Sequence, residues 1–307
     1  MKLDKGVFVL SLDTELAWGM RDKPKAVVRN KRYYEKTHKV INEILNLMIN
    51  YNISATWAIV GKLFLDKQDK NCFEFLVNLS SSNDLLGDLK KDSIWYGKEI
   101  VKNIMNCSVY QEIGSHSFSH LLFGDKTVSK EMVRDELRKC HIEAEKRSIK
   151  LESFVFPRNQ VGNLDVLQSC GYKCFRGPEQ IWYKNYPGKI KKICHMIDQM
   201  FSICPPVNLP VKECNMLNIP GSMLYLSRDS FRKYIPIKSR VNKAKKGIYR
   251  AINEKKIFHL WFHPFNIATD PLNLLKGLEE IFREVDALRQ KGELVIKTMG
   301  QVARDYT

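Results

Sequence analysis

Long apolar runs are missing from this 307-residue sequence. None approaches the roughly 18 consecutive apolar residues that a membrane-spanning helix needs. The first thirteen residues place Lys2, Asp4 and Lys5 around a short apolar run, Val7 to Leu12, without the longer apolar region or small-residue cleavage site of a secretion signal. A cytoplasmic protein is expected. Eight cysteines stand at 72, 107, 140, 170, 174, 194, 204 and 214, and no CxxC pair occurs among them. That spacing argues against a zinc knuckle, and the expected compartment argues for reduced thiols. Internal repeats are absent, and no linker divides the chain. Acidic residues are also few, with 34 Asp and Glu against 50 Lys and Arg, a net charge of +16. The excess is uneven: residues 228 to 256 hold eleven Lys or Arg against Asp229 and Glu254, a surplus of nine. Such a balance points to an anionic partner. No helix-turn-helix, zinc-finger or RNA-binding signature accompanies it, so nucleic acid is not the expected one.

What is present is a 44% hydrophobic composition, enough for a sizeable core. Short β-branched or aromatic runs alternate with helical stretches. Strands are predicted at Val7 to Asp13, Ser54 to Val60, Glu112 to Ser115, Ser153 to Pro157, Tyr172 to Arg176, Leu217 to Pro220, Phe258 to Phe262 and Leu294 to Lys297. Helices are predicted over Lys36 to Asn50, Lys130 to Arg147 and Leu272 to Lys291. This rhythm argues for a parallel α/β architecture, with chemistry gathered at the rim where the strands end. Residues 66 to 111, with a Ser-Ser-Ser-Asn tract at 80 to 83, and 179 to 256 interrupt the rhythm and read as substrate-recognition insertions in one domain spanning 1 to 307.

Four clusters stand at those strand ends. His116 and His120 are four apart in Gly-Ser-His-Ser-Phe-Ser-His, and on one helical turn both imidazoles would face a single metal ion. In Ser11-Leu12-Asp13-Thr14-Glu15, the alternation of an extended segment puts Asp13 and Glu15 on one side, where one can ligate metal and the other handle protons. In Phe258-His259-Leu260-Trp261-Phe262-His263-Pro264, His259, Trp261 and His263 share a face and Pro264 halts the strand. Phe154-Val155-Phe156-Pro157-Arg158-Asn159 brings an arginine and an amide to a fourth strand end.

In order and spacing these clusters resemble the polysaccharide deacetylase family, the nodulation-type carbohydrate esterases. Ile53-Ser-Ala-Thr-Trp-Ala-Ile-Val-Gly61 is similar to that family's ATFFVVG strand, Glu112 to His120 to its EIGNHTxSH, and Leu294 to Met299 to its terminal strand. The resemblance implies a distorted (β/α)7 barrel and one divalent ion, zinc first with Fe, Co or Ni as alternatives, that polarises an acetamide carbonyl and acidifies water. Carried over by position, Glu15, His116 and His120 hold the metal, Asp13 is the general base, and His263 is the acid that protonates the departing amine. The family's adjacent aspartates, TFDDG, appear here as Asp13-Thr14-Glu15, and its RxPYG as Pro157-Arg158-Asn159-Gln160. Arg158 is expected to orient Asp13, with Arg176 of Phe175-Arg-Gly-Pro178 as its competitor, and Trp18, Asn159, Arg176 and Trp261 are expected around the substrate.

The function expected from the resemblance is N-deacetylation of a sugar carried on a nucleotide diphosphate or lipid pyrophosphate in surface-polysaccharide assembly, with the 228 to 256 stretch meeting phosphates or the inner face of a membrane. O-deacetylation or deformylation by the same attack, and glycan binding without turnover, are the alternatives.

Overall fold

The computed structural model describes residues 3–66 and 93–306. Cys72, the tract at 80–83 and the rest of 67–92 in the expected first insertion lie outside the described residues. Ten strands form one curled sheet among the described residues: β1 Gly6–Thr14, β2 Ala55–Ile59, β3 Gln111–Ser115, β4 Ser153–Val155, β5 Cys174–Arg176, β6 Val211–Glu213, β7 Met216–Asn218, β8 Met223–Leu224, β9 Ile257–Phe262 and β10 Leu294–Ile296. Their order is β6-β7-β5-β4-β3-β2-β1-β9-β8, with β10 on β1. All neighbours are parallel except the β6–β7 hairpin, whose turn residues Cys214 and Asn215 both have positive φ, as a two-residue hairpin loop requires. The two ends of the curl meet through residues 219–222, where the Gly221 N–H donates to Gly177 O (3.0 Å) and the Ser222 N–H to His259 O (2.9 Å).

β1 is the centre of this arrangement. On one side it pairs with β9 over Val7 to Leu12. On the other it pairs with β10 over Gly6 to Phe8 and with β2 over Ser11 to Thr14. All nine of its residues are buried, as expected for a parallel strand covered on both faces. Phe8, Leu10 and Leu12 pack outward under a helical layer, whereas Val7 and Val9 pack inward with Ala58, Val155, Cys174 and Ile257. The same inner face then turns polar: after Val7 and Val9 come Ser11 and Asp13, and after Ile257 comes His259. Period-two alternation thus gives the curl an apolar floor and a polar rim at the C-terminal ends of the strands.

The principal helices are α1 Pro24–Asn50, α2 Lys130–Glu145, α3 Gly188–Met200, α4 Ile237–Glu254, α5 Pro271–Gln290 and α6 Met299–Asp305. α1 begins twelve residues earlier than its apolar periodicity announces, at Pro24, a residue suited to the first helical position. α6 opens with a Thr298–Gln301 capping box and closes the floor of the curl, where the buried Glu112 accepts from Thr56 Oγ1 (2.7 Å), Ser153 Oγ (2.5 Å) and the Gly300 N–H (3.0 Å).

The stretch 179–256 is not an appendage. It supplies β7 and β8 to the central sheet and α4 to the outer layer, where Gly247 lies so close to Phe258 that an added Cβ would stand 2.4 Å from its ring. Nor do its cations form a uniform basic face. Arg240 is fully buried and donates to the carbonyls of Ile235, Ser227 and Arg232; Lys243 is buried against Asp198. Arg228, Lys245, Arg250 and Lys256 pair with Asp270, Glu284 and Glu254. Acidic partners from outside the stretch, Asp198, Asp270 and Glu284, offset three of the surplus of nine.

Candidate metal centre

Asp13 is the penultimate residue of β1, and Glu15 follows as the chain turns into the 3-10 turn Leu16–Met20. The two carboxylates face one volume: His263 Nε2 lies 3.7 Å from Asp13 Oδ2 and 3.6 Å from Glu15 Oε1. Thr14 turns its hydroxyl back to Leu12 O instead. Directly opposite, both histidines of the HxxxH segment bring Nε2 to the same oxygen, Glu15 Oε2, His116 at 3.2 Å and His120 at 2.9 Å. The ligand atoms of Glu15, His116 and His120 lie within 4.8 Å of one another, and all three residues are buried.

The local route to this convergence differs from the helical turn expected. Residues 116–120 form a loop in which Ser117 and His120 take positive φ of 58° and 62°. That loop is held from several sides. The Gly61 and Lys62 N–H groups donate to Ser117 O and Phe118 O, and Glu136 of α2 accepts from both the Ser119 N–H and the Ser119 hydroxyl at 2.7 Å. Glu136 carries no motif in the sequence, so its role is visible only in three dimensions. Gly19 is a second such residue: a Cβ there would lie 2.0 Å from Glu15 Oε1, so its lack of a side chain makes room for a carboxylate one methylene longer than aspartate.

The donor set suits a divalent ion. His116 Nδ1 lies 2.8 Å from Val155 O, and a hydrogen bond donated to that carbonyl fixes the ring with Nε2 toward Glu15, so that Nε2 could ligate an ion that takes the place of its proton. Two imidazoles and one carboxylate are the three protein ligands of a catalytic-type site. Burial favours neutral Glu15, but the imidazoles of His263 and His120, together with hydrogen bonds from His116 and His120, outweigh it and hold the carboxyl well below its usual range. Burial also lowers His120 against the opposing pull of Glu15, the direction that favours the neutral form a metal ligand needs.

No protein-family model and no curated protein matches the sequence. Solved structures do. A provisionally assigned polysaccharide deacetylase from Mycobacterium smegmatis superposes with a TM-score of 0.65 at 12% identity, covering 98% of this chain and 90% of that one. A probable polysaccharide deacetylase from Pseudomonas aeruginosa PAO1 gives 0.61 at 10% identity, over 98% and 90%. This chain has the polysaccharide deacetylase fold. The same deacetylase fold is shared by Puue allantoinase, at a TM-score of 0.64 and 11% identity over 98% of this chain and 89% of that one, so the architecture by itself does not choose a substrate.

Within the deacetylase fold, Asp13 is held by Arg176 and not by Arg158. Arg176 Nη1 and Nη2 reach Asp13 Oδ1 and Oδ2 at 2.6 and 2.7 Å, a bidentate fork, and further donate to Ser11 Oγ (3.0 Å) and Asn159 Oδ1 (3.2 Å). Arg158 points elsewhere, to Asp22 and Gly19 O, because its backbone takes a left-handed φ of 54° in the turn after β4. Burial works to raise the Asp13 carboxyl, but the Arg176 charge, with smaller help from His263, keeps it below the ordinary range.

The residues expected around the substrate also need correction. Trp18 is fully buried, donates its indole N–H to Trp95 O and packs edge-on against Trp95, so it belongs to the core. Arg176 is spent on Asp13. Trp261, 7% exposed, lays its ring over the Arg176 guanidinium at 4.1 Å and donates to Glu179 Oε1 at 2.6 Å, which makes it a wall behind the carboxylate. Asn159 is half-buried and touches the site through Arg176. His259, unassigned from the sequence, bonds Ser11 Oγ and Ile219 O, and burial beside Arg176 pushes its pKa down to about 3.

Proposed function

We propose that this chain is a metal-dependent carbohydrate deacetylase that removes the acetyl group from an N-acetylated sugar. The observation that carries the reading is the juxtaposition of a Glu15–His116–His120 donor set with an arginine-clamped Asp13 and with His263 3.6 to 3.7 Å from both carboxylates. A divalent cation held by those three residues supplies Lewis acidity, making an acyl carbonyl more electrophilic and water more acidic.

The protein groups divide the remaining work. Asp13, ionised and fixed in rotation by the Arg176 fork, takes a proton from the attacking water. His263 Nε2 faces the same volume from β9 and gives a proton to the departing amine nitrogen as the C–N bond breaks. Acetate and a free amino sugar result. The net charge of +16 favours a donor bearing phosphates, such as a nucleotide- or lipid-pyrophosphate-linked sugar. Of the cations of residues 228–256, those late in α4 run down toward the start of β9, away from the rim that carries Asp13, whereas Arg228, Arg232, Lys233 and Lys238 follow the end of β8, on the rim side, and are the ones placed to meet such phosphates.

The test is a mass-spectrometric screen of N-acetylated sugars, free and diphosphate-linked, for acetate release with added Zn, Co or Ni, with Asp13→Asn as the control. Amine product from the wild-type chain and none from the variant supports the reading. Turnover by Asp13→Asn at the wild-type rate, or release of a hydroxyl product from an O-acetyl sugar alone, overturns it.

A further inference from the structure

Helix α3 is built inside out. Its buried positions are Cys194, Asp198 and Gln199, while Ile190, Ile193, Ile197 and Met200, followed by Phe201, stand 43–72% exposed. A helix on the surface of a soluble protein ordinarily does the reverse, turning its isoleucines to the core. Here the polar side is what docks. Asp198 pairs with the buried Lys243 of α4, accepts the Trp182 indole N–H at 3.1 Å and accepts from Gln199, while Ser202 Oγ beyond the helix donates to Ser239 O. The outward residues fall on one stripe about 100° wide. Trp182, 52% exposed, and Tyr186, 47% exposed, stand in the loop that leads into the helix.

The charge around the stripe has one sign. From Gln180 to Phe201 the charged residues are Lys184, Lys189, Lys191, Lys192 and Asp198, and the aspartate is buried in its ion pair. The exposed face therefore presents isoleucine, methionine and aromatic side chains rimmed by lysines. That combination matches an interfacial helix, whose apolar side enters the acyl boundary while its cations meet anionic headgroups. An acidic protein groove would meet the lysines but needs no stripe of this kind flanked by Trp and Tyr, which favour the level of the headgroups.

We propose that α3, with Trp182, Tyr186 and Phe201, is a docking face for an anionic lipid bilayer, holding the protein on the membrane surface without crossing it. The loop 177–187 that leads into α3 leaves β5 directly after Arg176, so the face begins at the same rim as the candidate metal centre. The inference rests on the exposed stripe and does not depend on the reaction assigned above.

Co-sedimentation of the full chain with vesicles of phosphatidylcholine containing phosphatidylglycerol, against phosphatidylcholine alone, tests it. Wild type is expected to bind the anionic vesicles, weakly at high salt, and to shift its tryptophan emission to the blue. The double substitution Ile193→Glu, Ile197→Glu and the pair Lys189→Gln, Lys192→Gln are each expected to weaken binding by about tenfold or more while leaving the far-ultraviolet circular dichroism unchanged. Absence of wild-type binding overturns the proposal. So does retention of binding by the folded double glutamate variant. A concentration-dependent dimer without vesicles that the same variant abolishes overturns it in favour of a second copy of the chain as the occupant.

Discussion

Two residues decide whether the acidic pair at the end of β1 can work as a metal ligand and a base. Glu15 is the carboxylate proposed for the metal, and the room for a side chain one methylene longer than aspartate comes from Gly19. Gly19→Ala should displace the Glu15 carboxylate from His116 and His120 and weaken divalent-ion binding by roughly 10- to 100-fold, the scale on which supporting residues tune metal sites. Calorimetric titration with zinc checks this, and unchanged affinity would show that the carboxylate is not a ligand. Arg176 plays the matching part for Asp13. Its charge holds the Asp13 carboxyl below the ordinary range against the effect of burial, so the base is ionised at and below neutrality. Removing the charge raises the Asp13 pKa, and the acid limb of kcat/KM for acetate release must then move to higher pH. Arg176→Gln is expected to show that shift and a loss of about two orders of magnitude or more in kcat/KM. Arg158→Gln, which breaks a half-exposed pair with Asp22, should change it by less than about fivefold.

At the scale of elements, the strands that carry the site were legible because parallel strands buried on both faces advertise themselves as apolar runs: β1, β2 and β9 lie close to their predicted bounds. β6 and β8 were not: β6 is Val-Lys-Glu with no buried residue and β8 is two residues long, so neither carries an apolar run. The first half of α1 was missed because Lys, Arg and Tyr dominate residues 25–35, and the inverted polarity of α3 hid it among basic and Pro-punctuated residues. The resemblance of their segments brings Glu15, His116 and His120 together as a candidate ligand group, and the three do converge, while Glu136, Gly19 and the choice between Arg158 and Arg176 depend on how loops turn. Glu112 belongs at this scale as well. It lies in β3, as the sequence predicts, and its side chain also ties β2 and β4 to the N-terminus of α6. Glu112→Ala should cost about 3 kcal/mol by stranding buried donors, measured as a lowered urea midpoint, and leave zinc affinity near the wild-type value because the floor lies away from the rim. A variant as stable as wild type would show the tie to be dispensable.

Across the whole molecule, the inner face of the curl changes character along its length, and that gradient concentrates the titratable groups at one end. Apolar packing below fixes backbone positions; ionised and imidazole side chains above inherit those positions at little cost in freedom. The arrangement also sets how the protein can come apart. β1 has neighbours along its entire length and carries both carboxylates at its terminus. A peripheral helix or hairpin can fray and re-form while the reaction centre stays intact, whereas separating Asp13 from Arg176 by backbone opening means dismantling the middle of the sheet. Loss of the centre should therefore coincide with cooperative collapse of the fold, and the bound cation should act as a ballast against that collapse, in proportion to its concentration.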